Sequence, residues 1–276
     1  MTMYEKLVEL SNETMSYEIP IQKGAVWSLR SAPHAIISGI SSFGKSFFVF
    51  YIILIAAIKG YILFCADPKR SDLASLSDYM PSSRVAWMPE QICEMAATVV
   101  EIMEKRYAYM NIERQRRGLF QADFVDFELP VILLVIEEMA TFVSSLDKKT
   151  RDTFESNIKR ITLEGRQAGV MICSVMQNPG TQNISTESRS QMSFRVFLGN
   201  SGGIEYRMIF GEGYTYHKRV YKAGQGLYML AGKTDKPEMI ETPVLDKSQL
   251  PDALKRALEK QFQINPSPPD PLRSEA

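Results

Sequence analysis

Short apolar segments alternate with longer amphipathic ones from residue 35 onward. The apolar segments, at 35–38, 61–66, 131–136, 170–175 and 193–198, are continuous runs. Such runs are typical of strands buried on both faces of a parallel sheet. Apolar residues recur near the 3.6-residue period over 45–58, 90–114 and 147–164, which predicts helices. Strands and helices in alternation predict an α/β fold with a mainly parallel central sheet flanked by helices.

Weaker patterns flank this core. They predict a helix near 3–10, strands at 25–29 and 226–230, and a short helix at 251–262. The C-terminal residues carry four prolines within seven positions and few apolar anchors. The predicted organisation is an N-terminal helix and lead-in over 1–23, a core domain over 24–245, a C-terminal helix over 246–264 and a disordered tail over 265–276.

Composition and charge exclude several classes of protein. The 276 residues are 45% hydrophobic and 23% charged, as in ordinary globular domains. Basic and acidic residues balance at 32 each, so a nucleic-acid partner would need local basic surface. Three scattered cysteines and two histidines argue against a zinc site or a disulfide framework. The apolar run at 47–58 is shorter than the ~20 residues that cross a bilayer, and 1–20 lack a secretory signal, so we expect a cytoplasmic protein without a membrane span.

Residues 39–46 read Gly-Ile-Ser-Ser-Phe-Gly-Lys-Ser, which fits the phosphate-binding pattern GxxxxGK[ST] between a predicted strand and a predicted helix. In such a loop, glycines let successive N–H groups turn toward phosphate oxygens at a helix N-terminus. Lys45 would reach the β- and γ-phosphates of ATP, and the Ser46 hydroxyl would bind Mg²⁺. A chance glycine-rich turn is the alternative. The predicted nucleotide-binding residues are Gly39, Ser41, Ser42, Phe43, Gly44, Lys45, Ser46 and Phe47.

Two adjacent carboxylates, Glu137 and Glu138, end the apolar run at 131–136. A P-loop ATPase needs one acid there to hold Mg²⁺ and a second to activate water, and we assign these roles to Glu137 and Glu138. A solvated strand end is the alternative. Gln177 ends the next buried strand and is predicted to sense the γ-phosphate, unless it is an ordinary loop amide. A complete strand-and-helix unit at 61–114 separates the two motifs, as in the additional-strand, catalytic-glutamate ATPases.

Further motifs extend the pattern beyond the P-loop. They are PHAIISG at 33–39, DPK at 67–69, MEKRY at 103–107, GRQAG at 165–169 followed by Gln177, and GQGLY at 224–228. Together these motifs resemble the FtsK/SpoIIIE branch of RecA-like DNA pumps, and the likeness spans about residues 24–228. Within that branch, the short TcpA-like conjugation coupling ATPases look most similar.

The resemblance implies a RecA-like motor over 24–245 that hydrolyses ATP and moves DNA in conjugative or other mobile-element transfer. It also implies a homo-hexameric ring with ATP at each subunit junction and DNA through the centre, served by a relaxase or by membrane-bound transfer machinery. Arg166 matches the family's arginine finger and would act across the junction, with Arg160 in reserve. The family usually has Asp at the position of Glu137, so hydrolysis is expected to be slow.

The DNA-contacting surface is assigned from charge alone. Lys105, Arg106, Arg114, Arg116 and Arg117 cluster at the end of one helix and in the following loop, where they would contact DNA phosphates. We select Arg114, Arg116 and Arg117 as DNA-binding candidates, and the polar loop at 178–191 as a second candidate. A solvated helix face is the alternative.

Three other functions stay open at this point. A protein-secretion ATPase would use the same motor, and a hydrolysis-poor nucleotide-binding scaffold would keep only the binding loop. A small-molecule kinase is disfavoured because no lid segment is evident and Glu138 suits water activation.

Overall fold

A computed structural model describes residues 1–177, 190–200 and 202–264 of the chain. The predicted tail at 265–276 and most of the polar loop at 178–191 lie outside these residues. The strands are β1 (Glu18–Gln22), β2 (Ala25–Ser28), β3 (Ala35–Gly39), β4 (Ile62–Ala66), β5 (Val85–Ala86), β6 (Ile132–Glu137), β7 (Val170–Met176), β8 (Phe194–Leu198), β9 (Gln225–Leu230) and β10 (Glu238–Glu241). The helices are α1 (Met3–Asn12), α2 (Lys45–Ile58), α3 (Pro89–Arg117), α4 (Met139–Ser145), α5 (Lys148–Ala168), α6 (Gly203–Phe210) and α7 (Leu250–Ile264), and a 3-10 turn spans Leu73–Asp78.

Eight of the described strands form one sheet in the order β10-β9-β8-β3-β7-β6-β4-β5. Strands β3 to β8 run parallel within it, and β9 and β10 extend it by antiparallel pairs. The remaining strands, β1 and β2, make a separate antiparallel pair. The α/β class with a mainly parallel sheet is confirmed. Because β7 lies between β3 and β6, it is the strand inserted between the P-loop strand and the acidic strand.

The position of that inserted strand corrects one step of the sequence interpretation. The unit at 61–114 separates the two motifs along the chain, but its strand β4 lies on the far side of β6. The strand that lies between the P-loop strand and the acidic strand in the sheet is β7, which follows both of them in the sequence. Order along the chain does not determine order across a parallel sheet, because each crossover helix can carry the chain past existing strands.

Helices cover both faces of the sheet and divide the core into two layers. Helix α2 fills one layer, where α1 and α7 pack against it, and α3, α4 and α5 fill the other. Eleven of the 14 residues of α2 are buried, which explains the apolar run that a membrane segment would also show. Within the described residues, none of the helices combines the length and the apolar composition needed to cross a membrane.

Candidate active site

The loops at the carboxyl ends of β3, β4, β6 and β7 converge at one edge of the sheet. Such an edge is where open parallel sheets bind ligands. The P-loop follows β3, Asp67 directly follows β4, and β6 ends at Glu137, with Glu138 directly after it. The sequence therefore delivers three chemically active segments to one place, and the sheet register sets their relative heights.

The P-loop backbone turns sharply into α2. Gly44 precedes the helix with φ +87°, in the left-handed region that favours glycine. Ser42 adopts φ +69° although it carries a side chain, which is a costly conformation for a non-glycine residue. Gly39 packs so closely on β8 that a Cβ atom there would lie 2.6 Å from the Leu198 carbonyl oxygen. The two glycines of the motif therefore meet backbone requirements of the loop, whereas the motif does not predict the left-handed backbone of Ser42.

Lys45, the first residue of α2, is buried in the site and is only 7% exposed. Its Nζ lies 3.6 Å from Glu138 Oε1, and within the described residues it makes no hydrogen bond. Burial lowers the pKa of Lys45, and the negative charges of Glu138 and Glu137 oppose that shift. A buried ammonium without a hydrogen-bond acceptor is costly, so this group is suited to receive an anion.

Glu138 is held on several sides at the start of α4. Its backbone has φ +49°, and its N–H donates to the Val175 carbonyl at 2.7 Å. Its Oε1 accepts a hydrogen bond of 2.8 Å from the N–H of Gln177, and its Oε2 lies 3.6 Å from Lys69 Nζ. Glu138 is 6% exposed, and its carboxylate lies between two ammonium groups. These contacts restrict the Glu138 carboxylate to one position beside Lys45.

A second buried acid accompanies Glu137. Asp67 is fully buried directly after β4, the strand next to β6. The Ser71 hydroxyl lies 3.2 Å from both Asp67 carboxylate oxygens and 3.2 Å from Glu137 Oε2, so it links the two side chains. Burial raises the pKa of Glu137, and the negative charge of Asp67 raises it further.

The Asp67 carboxylate also organises the loop that carries Lys69. It accepts hydrogen bonds from the backbone N–H groups of Lys69 at 3.2 Å and Ala74 at 3.0 Å. In the sequence, DPK at 67–69 indicates only a family motif, and the pattern predicts no site role for Asp67, Lys69 or Ser71. A charged residue directly after the strand beside the Glu137 strand was the signal available, since neighbouring parallel strands end at the same edge.

The other predicted residues lie at different places. Ser46 is partly exposed on the first turn of α2, and Phe47 beside it is 36% exposed. Gln177 contacts Glu138 through its backbone N–H, and its side chain is exposed. The loop that follows it, predicted as a DNA contact, lies outside the described residues from 178 to 189.

Arg166 lies at the opposite edge of the sheet from the P-loop, because α5 ends where β7 begins. Its Nε donates to the Arg30 carbonyl at 3.1 Å. Arg160, on the same helix, pairs with Glu104 and Glu164. Neither arginine reaches the active site of its own chain.

The structure corrects two points about the basic cluster of Lys105, Arg106, Arg114, Arg116 and Arg117. Helix α3 continues to Arg117, so Arg116 and Arg117 lie on the helix, where both pair with Glu113. Arg114 donates to Asn111 Oδ1 at 3.2 Å. Arg106 is buried, and its guanidinium donates to the carbonyls of Ala168 and Pro130. Arg106 is therefore a structural residue that cannot contact DNA from this position, whereas the other side chains lie at the surface.

The residues present fit a nucleoside triphosphate. Lys45 Nζ lacks a hydrogen-bond acceptor within the described residues, and the α2 N-terminus with its left-handed Gly44 is the type of terminus that binds phosphate. For Mg²⁺, Ser46 offers a hydroxyl and Glu137 a carboxylate, which are suitable oxygen ligands.

A P-loop at the edge of a parallel sheet, with an inserted strand and a buried glutamate beside the P-loop lysine, defines an additional-strand P-loop ATPase. The FtsK/SpoIIIE family model matches residues 12–181, and the chain belongs to this family.

Two curated relatives illustrate the membership. The Ftsk domain-containing protein YdcQ of Bacillus subtilis (strain 168) is 27% identical over 194 residues, which cover 70% of this chain and 40% of YdcQ. The DNA translocase FtsK of Lactococcus lactis subsp. cremoris (strain MG1363) is 26% identical over 220 residues, which cover 72% of this chain and 28% of that protein. The chain thus spans well under half the length of these relatives.

Solved structures share the fold. The pCW3 conjugation coupling protein TcpA, determined with ATPγS, has a TM-score of 0.65 at 16% identity, with 84% of this chain and 67% of that chain covered. EssC (ATPases 2 and 3) of Geobacillus thermodenitrificans has a TM-score of 0.67 at 14% identity, with 90% of this chain and 49% of that chain covered. The likeness concerns the fold alone, and it is equally good for a coupling protein and for EssC.

Proposed function

We propose that this chain is the ATP-hydrolysing motor of a DNA translocase that serves conjugative or other mobile-element DNA transfer. The observation that carries the proposed hydrolysis is the 3.6 Å contact between Lys45 Nζ, on the first turn of α2, and Glu138 Oε1, directly after β6. A phosphate-binding lysine and a water-activating carboxylate must lie within one site for hydrolysis, and here both are buried and adjacent.

Each residue of the site has a proposed part in ATP hydrolysis. Gly39, Ser41, Ser42, Phe43, Gly44 and Phe47 belong to the loop and first turn that hold the phosphates, with Lys45 as their cation. Ser46 and Glu137 would hold Mg²⁺, which when bound neutralises phosphate charge. Glu138 accepts a proton from the attacking water, and the Gln177 N–H and Lys69 keep its carboxylate in place. The Gln177 side chain is exposed and available to sense the γ-phosphate.

We propose that the motor works as a hexameric ring. Arg166 lies far from its own P-loop, and we infer that it serves the site of a neighbouring subunit, where a guanidinium would stabilise charge on the transferring phosphoryl group. Arg114, Arg116 and Arg117 are the proposed DNA contacts. A relaxase or membrane-bound transfer machinery would recruit the cytoplasmic ring. The division into lead-in 1–23, motor 24–245, helix 246–264 and tail 265–276 belongs to the same proposal.

A protein-secretion ATPase is the second candidate. The fold likeness to EssC, at a TM-score of 0.67, is the reason to retain this candidate. A secretion ATPase and a DNA translocase would have similar ATP sites. Membership of a family whose curated relatives include DNA translocase FtsK supports DNA as the substrate. A nucleotide-binding scaffold that does not turn over ATP is the third candidate.

Phosphate release from ATP, measured with duplex DNA, with single-stranded DNA and with no DNA, tests the proposal. We expect hydrolysis that DNA stimulates, and a loss of about 10²–10⁴-fold in Glu138→Gln, the range for removal of a general base. Nucleotide binding should survive in that variant. Glu9→Gln is the matched control, because Glu9 is an exposed glutamate on α1.

Three outcomes separate the candidates. DNA-stimulated hydrolysis supports the translocase. Hydrolysis that neither form of DNA changes favours the secretion ATPase. Phosphate release that is equally low in the unchanged protein and in Glu138→Gln leaves only the scaffold.

A further inference from the structure

A pocket of about 400 Å³ opens on the sheet face opposite the P-loop helix, between the outer strands and α3. Its lining includes Phe64 of β4, Arg84 just before β5, and Met95 and Ile102 of α3. Gln91, Glu94 and Thr98 add polar groups from the same helix. A volume of this size is within the range of small-molecule sites. The ATP site does not use this pocket.

Arg84 is the unusual residue of this pocket. Its side chain is buried, with 8% of the residue exposed, and its guanidinium stacks on the Phe64 ring at 4.2 Å from the centroid. Nη1 is shut off from solvent and has no hydrogen-bond partner within the described residues. No described carboxylate lies within ion-pair distance of Arg84, although Glu94 lines the same pocket.

Burying a guanidinium without a counter-charge costs free energy, because the group loses its hydration and gains no ion pair. Burial lowers the pKa of Arg84 to about 10, so the group keeps its positive charge at neutral pH. Two other buried cations show the contrast. Arg106 donates to two carbonyl oxygens, and Lys45 has carboxylates beside it. Arg84 has a ring on one face and an open pocket beside it.

We propose that this pocket binds a small organic carboxylate, with its anionic end at Arg84 and its apolar part on Met95 and Ile102. The planar guanidinium matches a carboxylate in a bidentate geometry. Glu94 disfavours a second negative charge on the ligand, which selects a monoanion over a phosphate dianion. Thr98 and Gln91 supply hydrogen-bonding groups for a polar substituent.

The pocket is separate from the ATP site but shares a strand with it. Phe64 and Ala66 of β4 face α3, whereas Asp67 faces the α2 side with Glu137. The backbone N–H of Cys65 donates to the Arg84 carbonyl, and that of Asp67 donates to the Ala86 carbonyl, both at 2.8 Å. Because these hydrogen bonds connect the two sites, ligand binding to the pocket is measured without nucleotide, and ATP hydrolysis is not the readout.

Calorimetric titration with benzoate and with hexanoate tests the proposal, in the Lys45→Ala background so that the P-loop offers no competing cation. Benzyl alcohol is the uncharged probe. We expect saturable binding of the carboxylates, at least tenfold weaker binding in Arg84→Met, and about two- to fivefold tighter binding in Glu94→Gln, since a like charge is removed. Arg256→Met is the matched control, because Arg256 also stacks on a ring, that of Tyr4, outside the pocket.

Several results would overturn the proposal. They are the absence of saturable binding to the Lys45→Ala protein, equal binding of benzyl alcohol, and unchanged binding in Arg84→Met. If circular dichroism shows that Arg84→Met does not fold, the exposed Glu94→Gln decides, and an unchanged affinity in that variant rejects the site.

Discussion

Each oxygen of the Glu138 carboxylate lies near one lysine ammonium group. Lys45 lies beside Oε1 and Lys69 beside Oε2. Lys45 is expected to interact with phosphate once a nucleotide is present, since it belongs to the P-loop. Lys69 and the Gln177 N–H are then the groups that continue to hold Glu138. Lys69 is therefore a positioning residue, and Asp67 in turn holds the loop on which Lys69 lies.

Lys69→Met should lower kcat about tenfold with little change in KM, because about 1.4 kcal/mol of positioning would be lost in the transition state. Lys69→Arg should retain most of the activity. Steady-state ATPase kinetics measure both. In the Glu138→Gln background the Lys69→Met change should have no further effect, and an equal loss there would show that Lys69 does not act through Glu138.

His34 makes the stability of the fold dependent on pH. The side chain is fully buried just before β3, where its Nδ1 accepts a hydrogen bond of 3.1 Å from the Ile172 N–H. Burial lowers its pKa from 6.5 to about 4. The folded chain therefore keeps His34 neutral where the unfolded chain is already protonated, so stability falls as the pH falls from 6.5 to about 4.

Urea denaturation at pH 4.5 and pH 7 should show part of this loss, whose full size is about 3 kcal/mol. His34→Asn should flatten this pH dependence. Asn tolerates the left-handed backbone that His34 adopts, with φ +58°, better than other replacements do. A slope that persists unchanged in His34→Asn would assign the pH dependence to other groups.

At the residue scale, the sequence predicted Lys45, Glu137 and Glu138 because each is part of a short contiguous pattern. It did not predict the contacts of Asp67, Ser71 and Lys69, which depend on the pairing of β4 with β6 across a long stretch of chain. Pairing across the sheet leaves little trace in local spacing. The sequence also could not predict the unpaired charge of Arg84, since burial of one arginine has no sequence signature.

At the scale of elements, the junction of β3 with α2 is the part that local patterns specify best. The observed helix Lys45–Ile58 has the predicted bounds, because a phosphate-loop motif begins it and a lysine-glycine pair ends its apolar run. The short elements β1, β5, β10, α4 and α6 were not predicted. They span two to eight residues, and tertiary pairing rather than periodicity determines them.

Gly44→Ala tests the junction between the P-loop and α2. At φ +87° an alanine costs about 1–2 kcal/mol, and its Cβ would lie 3.3 Å from the Gly224 nitrogen. We expect lower stability and at least tenfold weaker ATP binding. Gly118→Ala is the control, since Gly118 has φ +63° in open space at the end of α3. Both variants should lose stability in urea, and only Gly44→Ala should lose affinity in a nucleotide titration.

At the scale of the whole molecule, the two edges of the sheet carry different parts of the proposed machine. The P-loop, Glu137 and Glu138 lie at the carboxyl edge, and Arg166 lies at the amino edge. If Arg166 serves an ATP site, as we propose, that site belongs to a neighbouring subunit, because Arg166 and the P-loop of one chain lie at opposite edges of the sheet. The family motifs predicted both parts from the sequence, but only the sheet geometry shows that they lie apart.

Subunit mixing tests the ring. Arg166→Ala and Glu138→Gln should each abolish most ATP hydrolysis, while nucleotide binding remains. When the two variants are mixed, random assembly restores about a quarter of the junctions, since each restored junction needs Glu138 from one subunit and Arg166 from its neighbour. Recovered phosphate release is the expected result. A mixture no more active than its components would place Arg166 outside the neighbouring site.

The first and last described helices meet at one corner of the molecule. The N–H of Met3 donates to Gln249 Oε1 at 2.8 Å, the Asp246 N–H contacts the Met3 sulfur, and both helices rest on α2, which begins at the P-loop lysine. A tether fixed at either end would consequently pull on the same small patch. Because both helices pack on α2, a load applied there would first reach the helix that begins with Lys45.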